Sequence, residues 1–288
     1  MCKDCGCQEG NEKKFFGHDR DIHNHDNHHH DHSHEHGHFH DGHWHSHDSD
    51  HEHNHPEGHH QHDHSHDNHI HGDSKTVMME KNILAKNDEY AHQNKHWLKD
   101  RGIVAVNIIS SPGSGKTTLL EKTLDALKDK INCSVIVGDQ STDNDAKRLM
   151  GKCDCVYQIE TKSSCHLDAK QISEILPQVV NDNTKLLFIE NVGNLICPAA
   201  FELGEDFKIV LLSSTEGEDK PVKYPVIFSD ASVAIITKTD LIPHLDWDIK
   251  KCRNYIRQVN PGMYIFELSS KTGEGMNSWL EYLAKLVE

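Results

Sequence analysis

The sequence predicts an α/β fold with a mostly parallel sheet flanked by helices, preceded by a long His-rich tail without regular structure. Three observations carry that reading. From residue 103 onward, short runs rich in Val and Ile alternate with amphipathic stretches at helical spacing. The first run feeds Ser110-Ser111-Pro112-Gly113-Ser114-Gly115-Lys116-Thr117-Thr118, a phosphate-binding loop in its strand–loop–helix setting. Ahead of residue 76 the composition changes abruptly, and 24 of the 28 histidines lie between His18 and His71.

Residues 1–8 hold Met1-Cys2-Lys3-Asp4-Cys5-Gly6-Cys7, a compact set of thiols that reads as a metal-binding head. Residues 9–75 form the tail. Its histidines are spaced by Asp, Asn, Gly, Ser and Glu, which bury too little apolar surface to offset the entropy of ordering, so this segment is expected to be disordered. Neutral imidazole is the commonest ligand for borderline metals, and a polymer of it is a metal sponge. An expression tag is a short uniform run, whereas this tract is long, irregular and interleaved with acids. A merely solubilising tail is the plainer alternative, and the cysteines in front of it favour metal.

Residues 76–288 form the folded domain. A leading helix is expected at 77–100, where Ile83, Leu84, Ala91 and Leu98 recur at helical spacing. Strands are expected at 103–109, 134–137, 185–189, 208–212, 233–236 and 264–268. Helices are expected at 117–128, 143–150, 166–180, 246–258 and 275–286. In such a sheet, ligands bind at the C-terminal ends of the strands.

Charge narrows the function classes. Residues 1–75 hold 16 acids and 5 bases, or −11 of the formal −16, and the remaining 30 acids and 25 bases leave the domain at only −5. No basic patch suggests nucleic acid, and no apolar run is long enough to cross a membrane. Cys, Asp and His replace the apolar core that a signal peptide needs. Nine cysteines without a small-scaffold pattern read as reduced thiols of a cytoplasmic protein. Of these, Cys133, Cys153, Cys155 and Cys252 read as packing or surface residues.

The strand ends carry the chemistry. Gly113 and Gly115 let backbone wrap around phosphate oxygens, with the Ser114 and Thr118 positions completing the loop. Lys116 is expected to reach the β and γ phosphates, and the Thr117 hydroxyl to bind Mg²⁺. Asp139, at the end of the second strand, suits Mg²⁺ or the attacking water, with Asp145 a weaker candidate, since Asp143 and Asp145 also lie where a helix begins. Glu190-Asn191-Val192-Gly193 resembles the Asp-x-x-Gly switch of GTPases: Glu190 would reach the metal through water, and the Gly193 N–H would sense the γ-phosphate. Thr237-Lys238-Thr239-Asp240 resembles the Asn-Lys-x-Asp guanine reader. The Asp240 carboxylate accepts from guanine N1–H and the 2-amino group, which adenine lacks, and the Lys238 stem covers the base. Thr237 replaces the usual Asn. Ser269-Ser270-Lys271 resembles the loop that backs the guanine, assigning Ser270 and Lys271 to the nucleotide. The order of these motifs favours GTP over ATP.

A second metal site is expected at Cys165, His166 and Cys197, whose thiolates and imidazole suit Zn²⁺ or Ni²⁺. Three ligands leave a tetrahedral site incomplete, and a symmetric partner can complete it. The alternative is a capping Cys-His pair and a packed Cys.

These strings together resemble the HypB family, GTPase accessory proteins of nickel–iron hydrogenase maturation. The resemblance spans essentially the whole chain: the N-terminal Cys motif, the His-rich insert, Ser111 to Thr117, Gly138-Asp139, Cys165-His166-Leu167-Asp168-Ala169, and Glu190 to Leu195 with Cys197-Pro198. It implies a P-loop NTPase of the SIMIBI type that uses GTP/GDP and Mg²⁺ and dimerises with GTP. It further implies delivery of Ni²⁺ to the hydrogenase large-subunit precursor with a HypA-type nickel accessory protein. Cys2, Cys5 and Cys7 would then form a tight nickel site, since three thiolates and a terminal amine suit square-planar Ni(II). The urease accessory relative carries a Cys-Pro-His motif, whereas Cys197-Pro198 is followed here by Ala199. A nickel store is the binding-only alternative, supported by the tail alone. Hydrolysis is expected to be slow, because no arginine finger is identified and Arg148 and Lys220 read as surface charge.

Overall fold

The computed structural model describes the backbone of residues 13–16, 37–40, 43–46 and 72–288, and the side chains of residues 78, 79 and 81–288. Cys2, Cys5, Cys7 and most of the tail lie outside the described residues. Three short strands fall in the tail region: β1 (Lys13–Phe16), β2 (Gly37–His40) and β3 (His43–Ser46), the last two paired as an antiparallel ribbon. A long helix, α1 (Gly72–Lys99), leads into the domain.

The domain then alternates strands and helices: β4 (Val104–Ser110), α2 (Lys116–Leu127), β5 (Cys133–Asp139), α3 (Asn144–Leu149), β6 (Cys155–Glu160), α4 (Ala169–Val179) and β7 (Leu186–Glu190). There follow β8 (Phe207–Ser213), α5 (Lys220–Lys223), α6 (Pro225–Asp230), β9 (Val233–Thr237), α7 (Ile249–Val259), β10 (Tyr264–Glu267) and α8 (Met276–Leu286). The sheet order is β1-β6-β5-β7-β4-β8-β9-β10; β1 runs antiparallel to β6 and the other seven strands are parallel. The central strands are buried along almost their whole length and mostly apolar, because helices cover both faces. Leu186, Leu187, Phe188 and Ile189 are each fully buried.

Strands β1 to β3 and helices α5 and α6 were not expected, and two further elements also depart from expectation. Strand β6 was not foreseen, because Gln158 interrupts a short apolar run that Cys153, Asp154 and Cys155 precede. The buried face of α1 is Asn87, Ala91, Asn94 and Leu98, while Ile83 is exposed. Two of the four contact positions are polar, so an apolar stripe could not reveal them. The Asn94 amide donates to the carbonyls of Ala169 and Leu203, and Asn87 donates to the Glu202 carbonyl and accepts from the Ala169 N–H. These bonds fasten α1 to both segments that flank the cysteine–histidine cluster. The start of α4 is fixed by Asp168, whose side chain accepts from the Gln171 N–H in a reciprocal capping box. Among the described residues, no helix is long and apolar enough to cross a membrane.

Candidate functional site

The C-terminal strand ends gather the predicted residues. The loop after β4 turns through Gly113 and Gly115, with φ of 75° and 99°, a left-handed backbone that side chains resist. No atom stands within 4 Å of a Cβ built on either, so the loop is open where phosphate oxygens would lie. Gly115 precedes the first residue of α2, which aims the helix N-terminus into the loop. Lys116 is nearly buried, and its ammonium donates to Ser110 Oγ at 3.0 Å. Burial lowers its pKa, opposed by Glu190, Asp145, Asp139 and Glu216.

Glu190 is the carboxylate closest to this chemistry. It accepts from Thr117 Oγ1 at 2.7 Å. Burial pushes its pKa up to about 7, against the pull of Lys116 and the Thr117 hydroxyl. Its other oxygen, Oε2, is buried without a hydrogen-bond partner. A hydroxyl beside an unsatisfied carboxylate oxygen is a donor set suited to a small hard cation such as Mg²⁺. Asp139 is placed differently: its Oδ1 accepts from the N–H groups of Ser141 and Thr142, each at 3.0 Å, closing a turn. The direct contact with Thr117 thus belongs to Glu190, while Asp139 and Asp145 add negative charge near Lys116. Thr118 Oγ1 accepts from Arg148, which also binds Glu121.

At the base end, Ser269 Oγ donates to Asp240 Oδ1 at 2.6 Å and accepts from the N–H groups of Lys271 and Thr272. The fully buried Ser269 therefore aims the carboxylate, while Ser270 is half-buried and Lys271 exposed. Lys238 adopts a left-handed backbone (φ 58°) and donates to the Gly113 carbonyl at 2.8 Å. Thr237, in place of the usual Asn, donates to the Ser114 carbonyl at 2.7 Å. Both residues tie the loop after β9 to the loop after β4.

Sequence reasoning missed Glu216. It follows β8, accepts from Ser114 Oγ and pairs with Lys220, which also donates to Ser111 Oγ. Burial opposes the ionised form of Glu216, but the bonds from Lys220, Ser114 and Ser111 outweigh it and lower its pKa. Lys220 is thus part of a clamp on the phosphate loop, not the surface charge expected of it. The rule that sites lie at strand ends would have drawn attention to Glu216.

The predicted metal ligands do converge. One ligand atom from each of Cys165, His166 and Cys197 lies within 4.8 Å of the others. Cys165 Sγ is 3.7 Å from His166 Nδ1, and the imidazole stacks on Phe201 at 3.9 Å between ring centroids. Burial favours the neutral imidazole of His166 and lowers its pKa, against the pull of Asp168, and a neutral imidazole is the form able to ligate a metal. Cys133 and Cys252 are buried and Cys153 and Cys155 half-buried; burial pushes Cys133, Cys153 and Cys252 up to about 12, which suits packing thiols.

One segment, residues 190–197, joins the two sites. Glu190 holds Thr117 at one end. Asn191 Oδ1 accepts from the Leu167 N–H at 3.2 Å, next to His166, and its amide donates to Asn107, which donates to Glu205. A Cβ on Gly193 would stand 3.0 Å from Pro112 Cα, so this segment lies against the phosphate loop. Asn194 donates to the Cys165 carbonyl at 3.5 Å and accepts from the Ile196 N–H, shaping the turn that presents Cys197. Asn191, Asn194, Asn107 and Glu205 had no role assigned from sequence.

The family described as CobW/HypB/UreG, nucleotide-binding domain, matches residues 104–267. The hydrogenase maturation factor HypB of Escherichia coli K12 is 48% identical over 217 residues, 75% of each chain. The probable hydrogenase maturation factor HypB of Methanocaldococcus jannaschii is 42% identical over 208 residues, 72% of this chain and 94% of that one. Among solved structures, HypB from Archaeoglobus fulgidus is 36% identical with a TM-score of 0.67, covering 71% of this chain and all of that one. HypB from Helicobacter pylori in complex with nickel is 36% identical with a TM-score of 0.66, covering 69% and 94%.

Proposed function

The chain belongs to the HypB family of hydrogenase maturation factors, with a GTPase domain, and from that premise we propose that it gates the delivery of Ni(II) into the hydrogenase large-subunit precursor by slow GTP hydrolysis. The observation that carries this reading is the segment 190–197. It touches Thr117 of the phosphate loop through Glu190 and supplies the thiolate Cys197 to the metal cluster. Between those ends Gly193 packs close to Pro112 of the phosphate loop, and this contiguity is the route by which nucleotide state would reach the metal ligands.

The residues divide the work. Backbone N–H groups around Gly113, Ser114 and Gly115, with Lys116, hold the phosphates of GTP or GDP. Thr117 and Glu190, with Asp139 nearby, would hold Mg²⁺, which supplies neutralisation of phosphate charge. Asp240, aimed by Ser269, reads guanine. Arg148 and Lys220 are committed to Thr118, Glu121, Ser111 and Glu216, which leaves hydrolysis slow. At the cluster, Cys165, His166 and Cys197 take Ni²⁺ or Zn²⁺ as cargo. A second copy in a GTP-dependent homodimer completes the coordination. Cys2, Cys5 and Cys7 form the high-affinity nickel head, the His-rich tail stores the metal, and a HypA-type protein is the accessory partner. The need for reduced thiolates places this work in the cytoplasm.

The test uses thiolate-to-nickel charge-transfer absorption, which imidazole sites lack. In full-length protein with Cys2, Cys5 and Cys7 replaced by Ala, the Ni²⁺ affinity of the remaining thiolates should differ between GDP and a non-hydrolysable GTP analogue by roughly 5-fold or more, the usual range of coupling. Equal affinities would overturn the reading, since a nucleotide that changes no affinity gates nothing.

A further inference from the structure

We propose that His92 and His96 form a separate transition-metal site on the solvent face of α1, taking a borderline divalent ion such as Ni²⁺. The proposal stands independently of the delivery reading. Four histidines lie outside the His-rich run: His92, His96, His166 and His244. His166 belongs to the thiolate cluster. His92 and His96 stand one turn apart, both exposed, with their Nε2 atoms 3.1 Å apart. The ring centroids are 4.3 Å apart and the planes meet at 66°.

That separation matches a chelate. Two imidazole nitrogens each bonded ~2.05 Å from one ion stand 3.1 Å apart when the angle at the ion is about 98°, between the square-planar and tetrahedral values. Two histidines at i and i+4 on one helix face are a recurrent metal-binding spacing. The scaffold under the pair is held: Asn87, Ala91, Asn94 and Leu98 bury the opposite face of α1, so the two rings start from a fixed backbone. Asp88 and Asp100, one turn beyond either end, add negative charge to the same stripe. Without metal, one ring donates its Nε2–H to the other. On binding, that proton moves to Nδ1 through solvent, and both Nε2 lone pairs face the ion. The remaining coordination positions stay open to water, which suits an exchange site.

The probe is Ni²⁺ alone, added to the full-length chain, with diethyl pyrocarbonate modification of each histidine read by peptide mass spectrometry. His92 and His96 should become protected together, while the exposed His244 stays reactive. In His92→Gln, the Ni²⁺ concentration that half-protects His96 should rise at least about tenfold, because even outer-shell partners of a metal are worth roughly 10–100-fold. His92 is exposed, so the replacement leaves the helix intact, and His96 reactivity without metal should match wild type. Equal modification of His96 with and without Ni²⁺, or an unchanged midpoint in His92→Gln, would overturn the proposal.

Discussion

Glu190 carries the least comfortable charge in the site. Burial holds its pKa near 7, well above the ordinary carboxylate, because one oxygen has only Thr117 and the other has no partner. A raised carboxyl pKa favours folding while the group is protonated. That contribution is complete below about pH 4.5 and is lost as pH rises through 7. Wild type without nucleotide or metal should lose roughly 2.5 kcal/mol between pH 5 and pH 8 from this group alone, and Glu190→Gln should remove that slope. Urea denaturation at the two pH values checks it, and parallel slopes would contradict it. The same variant should slow GTP hydrolysis, since Gln cannot supply the anion. Lys116, Thr117, Glu190 and Asp240 were legible because each sits in a motif with fixed spacing. Ser269 and Glu216 were not assigned roles. Their partners, Asp240 and Ser114, lie 29 and 102 residues away, and nothing local marks a hydroxyl or carboxylate as aimed.

Helix α1 shows how an element can be foreseen and its contact face misread. Periodicity located the helix, yet its attachments include the amides of Asn87 and Asn94 as well as apolar Ala91 and Leu98. Asn94→Ala should lower stability by about 2 kcal/mol, because it strips a donor from two buried carbonyls. It should also weaken metal binding at Cys165 and His166, which lie just ahead of Ala169. Gln93→Ala, on the exposed side, should stay within about 0.5 kcal/mol of wild type. Chemical denaturation with a parallel nickel titration reads both effects; an Asn94 variant as stable as the Gln93 variant would show that the amide is not a fastening. The unforeseen β6 has a related cause. Its place beside β5 comes from parallel pairing across the short helix α3, which a short run broken by Gln158 does not announce.

At the scale of the molecule, histidine content and folded chemistry separate along the chain. Deleting residues 18–71 removes 24 of the 28 histidines but none of the cluster Cys165, His166 and Cys197. Bound nickel per chain in equilibrium dialysis should fall steeply, while the thiolate charge-transfer signal and GTP hydrolysis persist; loss of both would mean that the tail is integral to the domain. Composition alone set the His-rich stretch apart in the sequence, and strand–helix alternation with ordered motifs was enough for a nucleotide-binding α/β domain. Those features are local, set by spacing over a few residues. The fastening of the phosphate loop by Thr237, Lys238 and Glu216, the Asn191 and Asn194 links into the cysteine–histidine cluster, and the pairing of α1 with residues 169 and 203 came only from the folded chain. Each is a contact between segments far apart in sequence, made by ordinary polar side chains whose partners exist only once the sheet has assembled.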